Sequence, residues 1–448
     1  MLVVGLGVSG EAAARFLVEQ GARVAATDAS GGDRLRALKT ELERLGARVE
    51  LGGHTAACLD GVEVVVLSPG VPPSALPVRL ADERGVPVIS EIELAFRHCA
   101  ARIAAITGTN GKTTVTHLVE RLLTAGGIAS ITAGNIGDPL VEQARALGPD
   151  GVLAVEVSSF QLERIERFRP QVGVLLNITP DHLDRYASLD DYARAKMRLF
   201  ENQTPDDTAI VHESVVQMGY RPEGRDGGPE VITYGDGREC GVRLDGETVV
   251  STHAGRRYDL RGVWRLPGRH NVHNAMAAVT VAEAFGVGPE EILEALSAFR
   301  GLPHRLEFVD EQCGVRYIND SKGTNVDAVE KALDAIESPV VLIAGGLDKD
   351  LDFEPLRPKV RAWVRKLVLI GAAAPKLART FAGSTDCIRA GSLDEAVQIA
   401  RRDARPGDTV LLSPGCASFD MFRDYADRGD QFKACVRNTT ACPKAAEP

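Results

Sequence analysis

Short apolar runs alternate with amphipathic stretches along the chain, and that alternation sets the predicted elements. Leu2-Val3-Val4 reads as a strand, Glu11 to Gln20 as a helix and Arg23 to Thr27 as a second strand. Leu35 to Leu45 reads as a helix, and Val62 to Ser68 as a buried strand closed by Ser68-Pro69-Gly70. Strands alternating with helices imply a parallel sheet. A change of unit is expected near Glu91 to Arg97.

The pattern restarts twice. Arg102 to Thr107 is a predicted strand, followed by a Gly-rich turn and a helix from Lys112 to about Ala125. Further strands are predicted at Gly151 to Val157 and Val172 to Asn177, and a helix at Asp190 to Asn202. Residues 222–262 read as hairpins, and His270 to Phe285 and Pro289 to Phe299 as helices. After Gly301-Leu302-Pro303, strands are predicted at Arg316 to Ile318, Val340 to Ala344, Lys366 to Ile370 and Thr409 to Leu412, with helices between them. Asn438 to Pro448 has no period and reads as a loose tail.

Length agrees with this reading. The 448 residues, at roughly 150 per domain, suggest about three domains. Their expected bounds are 1–93, 94–300 and 301–448. A 44% hydrophobic share is ordinary for globular protein, and 45 Gly with 5% aromatic residues suits α/β sheets with tight turns. The net charge of −10 argues against a general nucleic-acid binder. No run of about 18 apolar residues exists, so no membrane insertion is expected. Eight cysteines lie scattered, with no Cys-x-x-Cys pair, and reduced thiols in a cytoplasmic enzyme are expected. Met1 leads straight into a strand without the usual polar lead-in, so the true start is expected upstream.

Two loops carry the chemistry. Gly5-Leu6-Gly7-Val8-Ser9-Gly10 follows a strand and opens a helix, and Asp28 ends the next strand. Glycines there let backbone approach a diphosphate at a helix N-terminus, and the acid can bind a ribose or base. Alone, this turn suggests NAD, or no ligand at all. Thr107-Gly108-Thr109-Asn110-Gly111-Lys112-Thr113-Thr114 lies between a strand and a helix. Backbone N–H groups of such a loop cradle phosphates, its Lys reaches β/γ oxygens and its Thr can ligate Mg²⁺. The usual first glycine would fall at Ile106; here it is Gly108, so the loop is a variant.

Other candidates are ambiguous by themselves. Glu156 ends an apolar strand and is a Mg²⁺ ligand or a salt-bridged acid. His182, in Asn177-Ile178-Thr179-Pro180-Asp181-His182, binds metal or substrate, or sits in a capped turn. Lys196 reads in isolation as a solvated helix lysine. Asn319-Asp320-Ser321-Lys322-Gly323-Thr324-Asn325 suits a polar ligand or caps a helix.

Together these segments resemble the Mur ligases, from Gly5 to about Phe432. The shared marks are the loop Thr107–Thr114, Glu156, His182 with Lys196, His270-Asn271-Val272-His273-Asn274-Ala275 and Gly301-Leu302-Pro303-His304-Arg305. Finer marks resemble the D-glutamate-adding member: Glu156-Val157-Ser158-Ser159-Phe160-Gln161-Leu162-Glu163, Asn319–Asn325 and Ser413-Pro414-Gly415-Cys416-Ala417-Ser418-Phe419-Asp420.

The resemblance implies three α/β domains: a Rossmann-like UDP-binding domain, a P-loop ATPase-like domain and a C-terminal Rossmann-like domain. It implies ATP-dependent joining of UDP-N-acetylmuramoyl-L-alanine to D-glutamate through an acyl phosphate, in peptidoglycan precursor synthesis. ATP and two Mg²⁺ sites follow. Lys112, His182 and Lys196 would be catalytic, and Gly108, Thr109, Asn110, Gly111, Lys112, Thr113, Thr114, Asn274, Arg305 and Asp320 would hold ATP. Thr113 and Glu156 would serve one metal, and His182 and Lys196 the other, with Lys196 carbamylated because an ammonium cannot ligate Mg²⁺. Val8, Ser9, Asp28, Asn135, Ser158 and His182 would meet the UDP-sugar. Lys322, Thr324, Lys349, Ser418 and Tyr425 would surround D-glutamate. Ala29-Ser30 stands where the family carries a Thr-Arg pair, and Tyr425 where Phe is usual. Two other readings are a folylpolyglutamate synthase-like ligase, which would not need the turn at Gly5–Gly10, and a nicotinamide-dependent dehydrogenase, which leaves Gly108–Thr114 and Lys196 unexplained.

Overall fold

A computed structural model describes residues 1–135, 138–182, 185–336, 338–348 and 351–438. The first sheet holds β1 (Leu2–Val4), β2 (Ala25–Asp28), β3 (Arg48–Leu51), β4 (Val65–Leu67) and β5 (Val88–Ser90). Its order is β3-β2-β1-β4-β5, and every pairing is parallel.

The second sheet holds β6 (Arg102–Thr107), β7 (Ser130–Gly134), β8 (Val152–Glu156), β9 (Val172–Leu175), β10 (Thr208–His212), β11 (Glu230–Gly235), β12 (Val242–Asp245), β13 (Thr248–Ser251) and β14 (Arg256–Asp259). Its order is β14-β13-β12-β11-β10-β9-β6-β8-β7. Only β12, β13 and β14 pair antiparallel; β11 runs parallel to both of its neighbours. The expectation of hairpins over 222–262 is therefore correct only from Val242 onward. Strand β6 is apolar from Ile103 to Ile106 because both sheet faces are covered, as buried parallel strands require.

The third sheet holds β15 (Glu307–Gln312), β16 (Val315–Asn319), β17 (Val340–Gly345), β18 (Val364–Ile370), β19 (Asp386–Arg389) and β20 (Thr409–Leu412). Its order is β15-β16-β20-β17-β18-β19, with only the edge strand β15 antiparallel. Strand residues alternate between faces. Val340, Leu342 and Ala344 enter one apolar cluster, and Val341 and Ile343 enter another on the opposite face.

The chain forms two compact units. One holds Met1–Trp264 and His273–Phe299, with the first two sheets; the other holds Arg265–Val272 and the chain from Arg300 on, with the third. The change of unit expected near Glu91 to Arg97 is a helix, Glu91–Phe96, inside the first. Buried Glu93 accepts N–H bonds from Glu166, Arg167 and Phe168 at 3.0, 3.0 and 2.8 Å, which makes this a bonded seam.

Several boundaries differ from expectation. The first helix starts at Val8, not Glu11, so Gly7 is its N-cap. The helix expected to Asn202 ends at Met197 and continues as a tighter turn, Arg198–Phe200. The tail beyond Asn438 lies outside the described residues. Among the described residues, Cys58, Cys99, Cys240, Cys387, Cys416 and Cys435 are free thiols.

Candidate active site

Most candidate residues sit just past the carboxyl ends of parallel strands, where α/β sheets open their ligand crevices. After β1, the Gly5–Gly10 turn is tightly built. A Cβ on Gly10 would lie 1.8 Å from the Gly5 carbonyl oxygen, so only glycine lets the helix approach the strand. The Leu6 N–H donates to Asp28 Oδ2 at 2.7 Å and the Ser30 N–H to Oδ1 at 2.8 Å. Asp28 therefore holds the turn itself. The helix Val8–Glu19 has no side-chain cap, Val8 is exposed and Ser9 half-buried. Arg34, which the sequence reading missed, reaches back to the Leu6 carbonyl at 2.7 Å and to Glu11 at 2.9 Å. Its sequence position gives no sign of this, because the contact spans a whole β-α unit.

After β6, the Gly-rich loop Thr107–Thr114 is fixed by the segment that follows β9. The Asn110 N–H donates to Asn177 Oδ1 at 2.9 Å, and Asn177 Nδ2 donates back to the Asn110 carbonyl at 2.9 Å. The Thr179 N–H donates to Thr109 Oγ1 at 3.0 Å. Gly111 has φ +89°, and a Cβ there would lie 2.5 Å from Asn274 Oδ1, which places Asn274 against the loop. Thr113 and Thr114 are buried in the first turn of the helix Lys112–Ala125. Lys112 Nζ folds over the loop and donates to the Gly108 and Thr109 carbonyls at 2.9 and 2.8 Å.

Lys196 is not solvated. Its side chain is 1% exposed, donates to the Gly108 carbonyl at 3.0 Å and lies 4.4 Å from the Tyr192 ring centroid. Burial, reinforced by the nearby Lys112 charge, holds its pKa well below the usual lysine value, while Asp181 and Glu156 pull it up. Glu156 ends β8, with Oε1 accepting from Asn135 Nδ2 at 3.3 Å. Glu156 Oε2 is buried without a hydrogen-bond partner.

A buried carboxylate oxygen left unsatisfied beside a phosphate-type loop fits a cation. Among the described residues, no cluster of three or more His, Cys, Asp or Glu side chains could hold a metal alone. His182 is exposed, with φ +54° and its N–H on Asp181 Oδ1 at 2.9 Å. Its ring stands edge-on to Phe160 at 4.8 Å and to Tyr192 at 6.1 Å.

Ser158 caps the short helix Ser159–Leu162 in a reciprocal box with Gln161. Gln161 also donates to Glu91 Oε1 at 2.7 Å, a link the sequence reading missed.

In the second unit, Asp320 follows β16 and accepts from Ser413 Oγ at 2.7 Å. Burial pushes its carboxyl up to about 7. Arg305 acts on it electrostatically. Lys322 Nζ lies 3.7 Å from the Tyr425 ring centroid. Thr324 immediately precedes Asn325, the N-cap of the helix Val326–Asp334, and Ser418 is buried in the loop after β20. Lys349 lies outside the described residues.

The N-terminal, middle and C-terminal segments each match a family model: Mur ligase MurD-like N-terminal domain over residues 1–90, Mur ligase middle domain over 106–282, and Mur ligase glutamate ligase domain over 304–416. The UDP-N-acetylmuramoylalanine--D-glutamate ligase of Pelotomaculum thermopropionicum is 44% identical, with 97% of each chain covered. The chain belongs to the Mur ligase family. Its relative of the same description in Syntrophotalea carbinolica is 43% identical, covering 98% of this chain and 97% of that one. The dehydrogenase reading is thereby removed.

Solved structures agree on the fold. UDP-N-acetylmuramate-alanine ligase MurC from Thermotoga maritima superposes with a TM-score of 0.61 at 18% identity, covering 98% of this chain and 99% of that one. FolC of E. coli, solved with DHPP and ADP, gives 0.57 at 18% identity, covering 78% and 92%. This Mur ligase therefore shares its three-domain α/β architecture with proteins of different descriptions, and fold alone does not select among them.

Proposed function

We propose that this Mur ligase joins D-glutamate to UDP-N-acetylmuramoyl-L-alanine at the expense of ATP, as an enzyme of peptidoglycan precursor synthesis in the cytoplasm. The observation that carries the ATP half is the phosphate-binding loop with the unsatisfied Glu156 oxygen beside it. The acceptor half is supported by 44% identity, over nearly the full length, to a D-glutamate ligase. Bounds near residues 93 and 300 for the three domains are supported by the three sheets and the three matched segments.

In this reading the alanyl carboxylate attacks the γ-phosphorus of ATP, the bond to ADP breaks, and an acyl phosphate forms. The D-glutamate amine then attacks the acyl carbon, loses a proton and expels phosphate. Carboxylate is a poor electrophile, so this activation is required. Gly108, Thr109, Asn110, Gly111 and Thr114 cradle phosphate with their backbone, and Lys112 neutralises charge on the transferring group. Asn274, Arg305 and Asp320 hold the rest of ATP.

Thr113 and Glu156 would hold one Mg²⁺, and His182 with carbamylated Lys196 a second. Bound there, Mg²⁺ supplies charge neutralisation at the phosphates. The neutral amine that burial favours at Lys196 is the form that takes up carbon dioxide. Val8 and Ser9 would meet the diphosphate, Asp28 the uracil side, and Asn135, Ser158 and His182 the sugar-peptide. Lys322, Thr324, Lys349, Ser418 and Tyr425 would surround D-glutamate. No nucleic acid or membrane partner is part of this reading. Among the described residues, no helix is long and apolar enough to cross a membrane.

The test incubates the protein with ATP, Mg²⁺, UDP-N-acetylmuramoyl-L-alanine and D-glutamate. Phosphate release and a product heavier by one glutamyl residue are expected. Release that occurs only with a pteroate acceptor would overturn the reading.

A further inference from the structure

The helix Tyr425–Asn438 carries a side chain that the reaction described above does not use. Arg428 is 0% exposed, and among the described residues it makes no ion pair. Its guanidinium donates to protein oxygens on two loops. Nε reaches Ser321 Oγ at 2.9 Å and Nη2 the Ser321 carbonyl at 2.8 Å, in the loop after β16. Nη1 and Nη2 each reach the Cys416 carbonyl at 3.2 Å, and Nη1 the Ala417 carbonyl at 3.4 Å, in the loop after β20. Ser321 Oγ in turn donates to the Tyr425 carbonyl at 2.7 Å, which ties the first loop to the start of the same helix.

A buried cation on neutral carbonyls is expensive, and burial pushes the Arg428 pKa down to about 10. A well-packed apolar side chain would fill the same volume at less cost. What only arginine supplies is a rigid planar fork of five donors, able to hold two segments at fixed separation. The segments it holds are those that carry Lys322 and Thr324 on one side and Ser418 on the other. Asp320 takes its hydrogen bonds elsewhere, from Ser413 Oγ at 2.7 Å and the Leu306 N–H at 3.3 Å, although the Arg428 charge also acts on it.

We infer that Arg428 is a positioning residue for the amino-acid acceptor: it sets the Lys322 loop and the Ser418 loop at the spacing that a dicarboxylic amino acid requires. This rests on the acceptor reading under Proposed function. The hydrogen bonds of Arg428 go to the acceptor loops, whereas those of Asp320 go to Ser413 and Leu306.

The test uses the full-length protein with Arg428→Lys and Arg428→Met, and with Ser321→Ala as a milder change that removes only the hydroxyl. KM for D-glutamate, KM for ATP and kcat are measured, together with hydroxylamine trapping of the acyl phosphate, which needs no D-glutamate. A side chain that loses charged hydrogen bonds to both loops should raise KM for D-glutamate by about 10-fold or more. The ATP KM and the trapped hydroxamate should stay at wild-type levels, and Ser321→Ala should shift D-glutamate KM in the same direction by less.

Equal loss of all parameters, or a D-glutamate KM unchanged in folded Arg428→Lys, overturns the positioning role. If both Arg428 variants fail to fold, an unchanged D-glutamate KM in Ser321→Ala overturns it. Wild-type protein that forms hydroxamate but ignores D-glutamate overturns the acceptor reading instead, so the two failures are distinguishable.

Discussion

Lys112 and Lys196 donate to one and the same carbonyl oxygen, that of Gly108, at 2.9 and 3.0 Å. Two ammonium groups on one acceptor repel each other, and the buried one yields. Burial first, and then the Lys112 charge, hold the Lys196 pKa well below the usual lysine value. The arrangement is costly with both lysines charged and relaxes when Lys196 becomes an anion, since an anionic group there would face the Lys112 charge.

Carbamylation of Lys196 is the first expected outcome. Protein freed of carbon dioxide should lose activity and regain it with bicarbonate. Carbon-13-labelled bicarbonate should give a carbamate resonance in the wild type that Lys196→Arg lacks. Because the neutral amine is the reactive form, uptake should strengthen as pH rises through the lowered lysine pKa. An absent resonance together with no bicarbonate effect would count against the assignment.

Lys112→Ala should abolish ligation with little change in thermal stability. Its ammonium donates to the Gly108 and Thr109 carbonyls, and the loop is independently clamped by Asn177 and Thr179. Losing a charge clamp on a transferring phosphoryl group costs on the order of 3 kcal/mol, about 100-fold or more in rate. Near-normal phosphate release at unchanged melting temperature would remove Lys112 from the ATP site.

What the sequence made legible follows from how local the signal was. The helix Lys112–Ala125 is legible with both its ends, since a Gly-rich turn opens it and Gly126-Gly127 closes it. Strand β3 was missed because Arg48-Val49-Glu50-Leu51 is short, partly exposed and charged. Strand β19, Asp386–Arg389, failed for the same reason. At the site, the Gly-rich loop Thr107–Thr114 was legible because its residues are contiguous. Asn177, Gln161 and Arg428 were not, because each acts across a long stretch of chain through a single side chain. Lys196 shows the limit most plainly: helical spacing made it solvated, and only tertiary packing makes it buried.

Glu91 offers a test of buried charge away from the chemistry. It is 2% exposed, its Oε2 has no hydrogen-bond partner, and burial pushes its pKa up to about 7. Unfolded, it ionises near its usual 4.5. Between these values the folded state holds a proton that the unfolded state has released, so stability falls as pH rises through that window. The fall integrates to at most on the order of 3 kcal/mol. Glu91→Gln, which keeps the shape and cannot ionise, should flatten the stability profile from about pH 4 to 7. A wild-type profile that rises through this range, or a variant with the same slope, would refute it.

The last expectation concerns Tyr425, whose ring centroid lies 3.7 Å from Lys322 Nζ. A cation held over an aromatic face gains roughly 0.5–2 kcal/mol, and the gain belongs to the ring rather than to the phenol oxygen. The backbone of Tyr425 is anchored separately, through its carbonyl and Ser321 Oγ, so changing the ring leaves that bond in place. Tyr425→Phe should therefore behave like the wild type, whereas Tyr425→Leu should remove the ring contact from Lys322 and raise KM for D-glutamate by about 5-fold. Lys322→Ala removes the charge itself and should raise that KM by about 10- to 100-fold, because a carboxylate loses a charged partner. A polar site of this kind also rejects a shorter or inverted acid more strongly than an apolar pocket rejects one methylene, which is limited to roughly 10- to 200-fold. Product formation is measured for D-glutamate, L-glutamate, D-aspartate and meso-diaminopimelate at equal concentration with wild type and all three variants. D-glutamate should lead in the wild type, and Lys322→Ala should narrow its lead. A KM for D-glutamate that stays constant across Tyr425→Leu and Lys322→Ala would place the acceptor elsewhere in the protein.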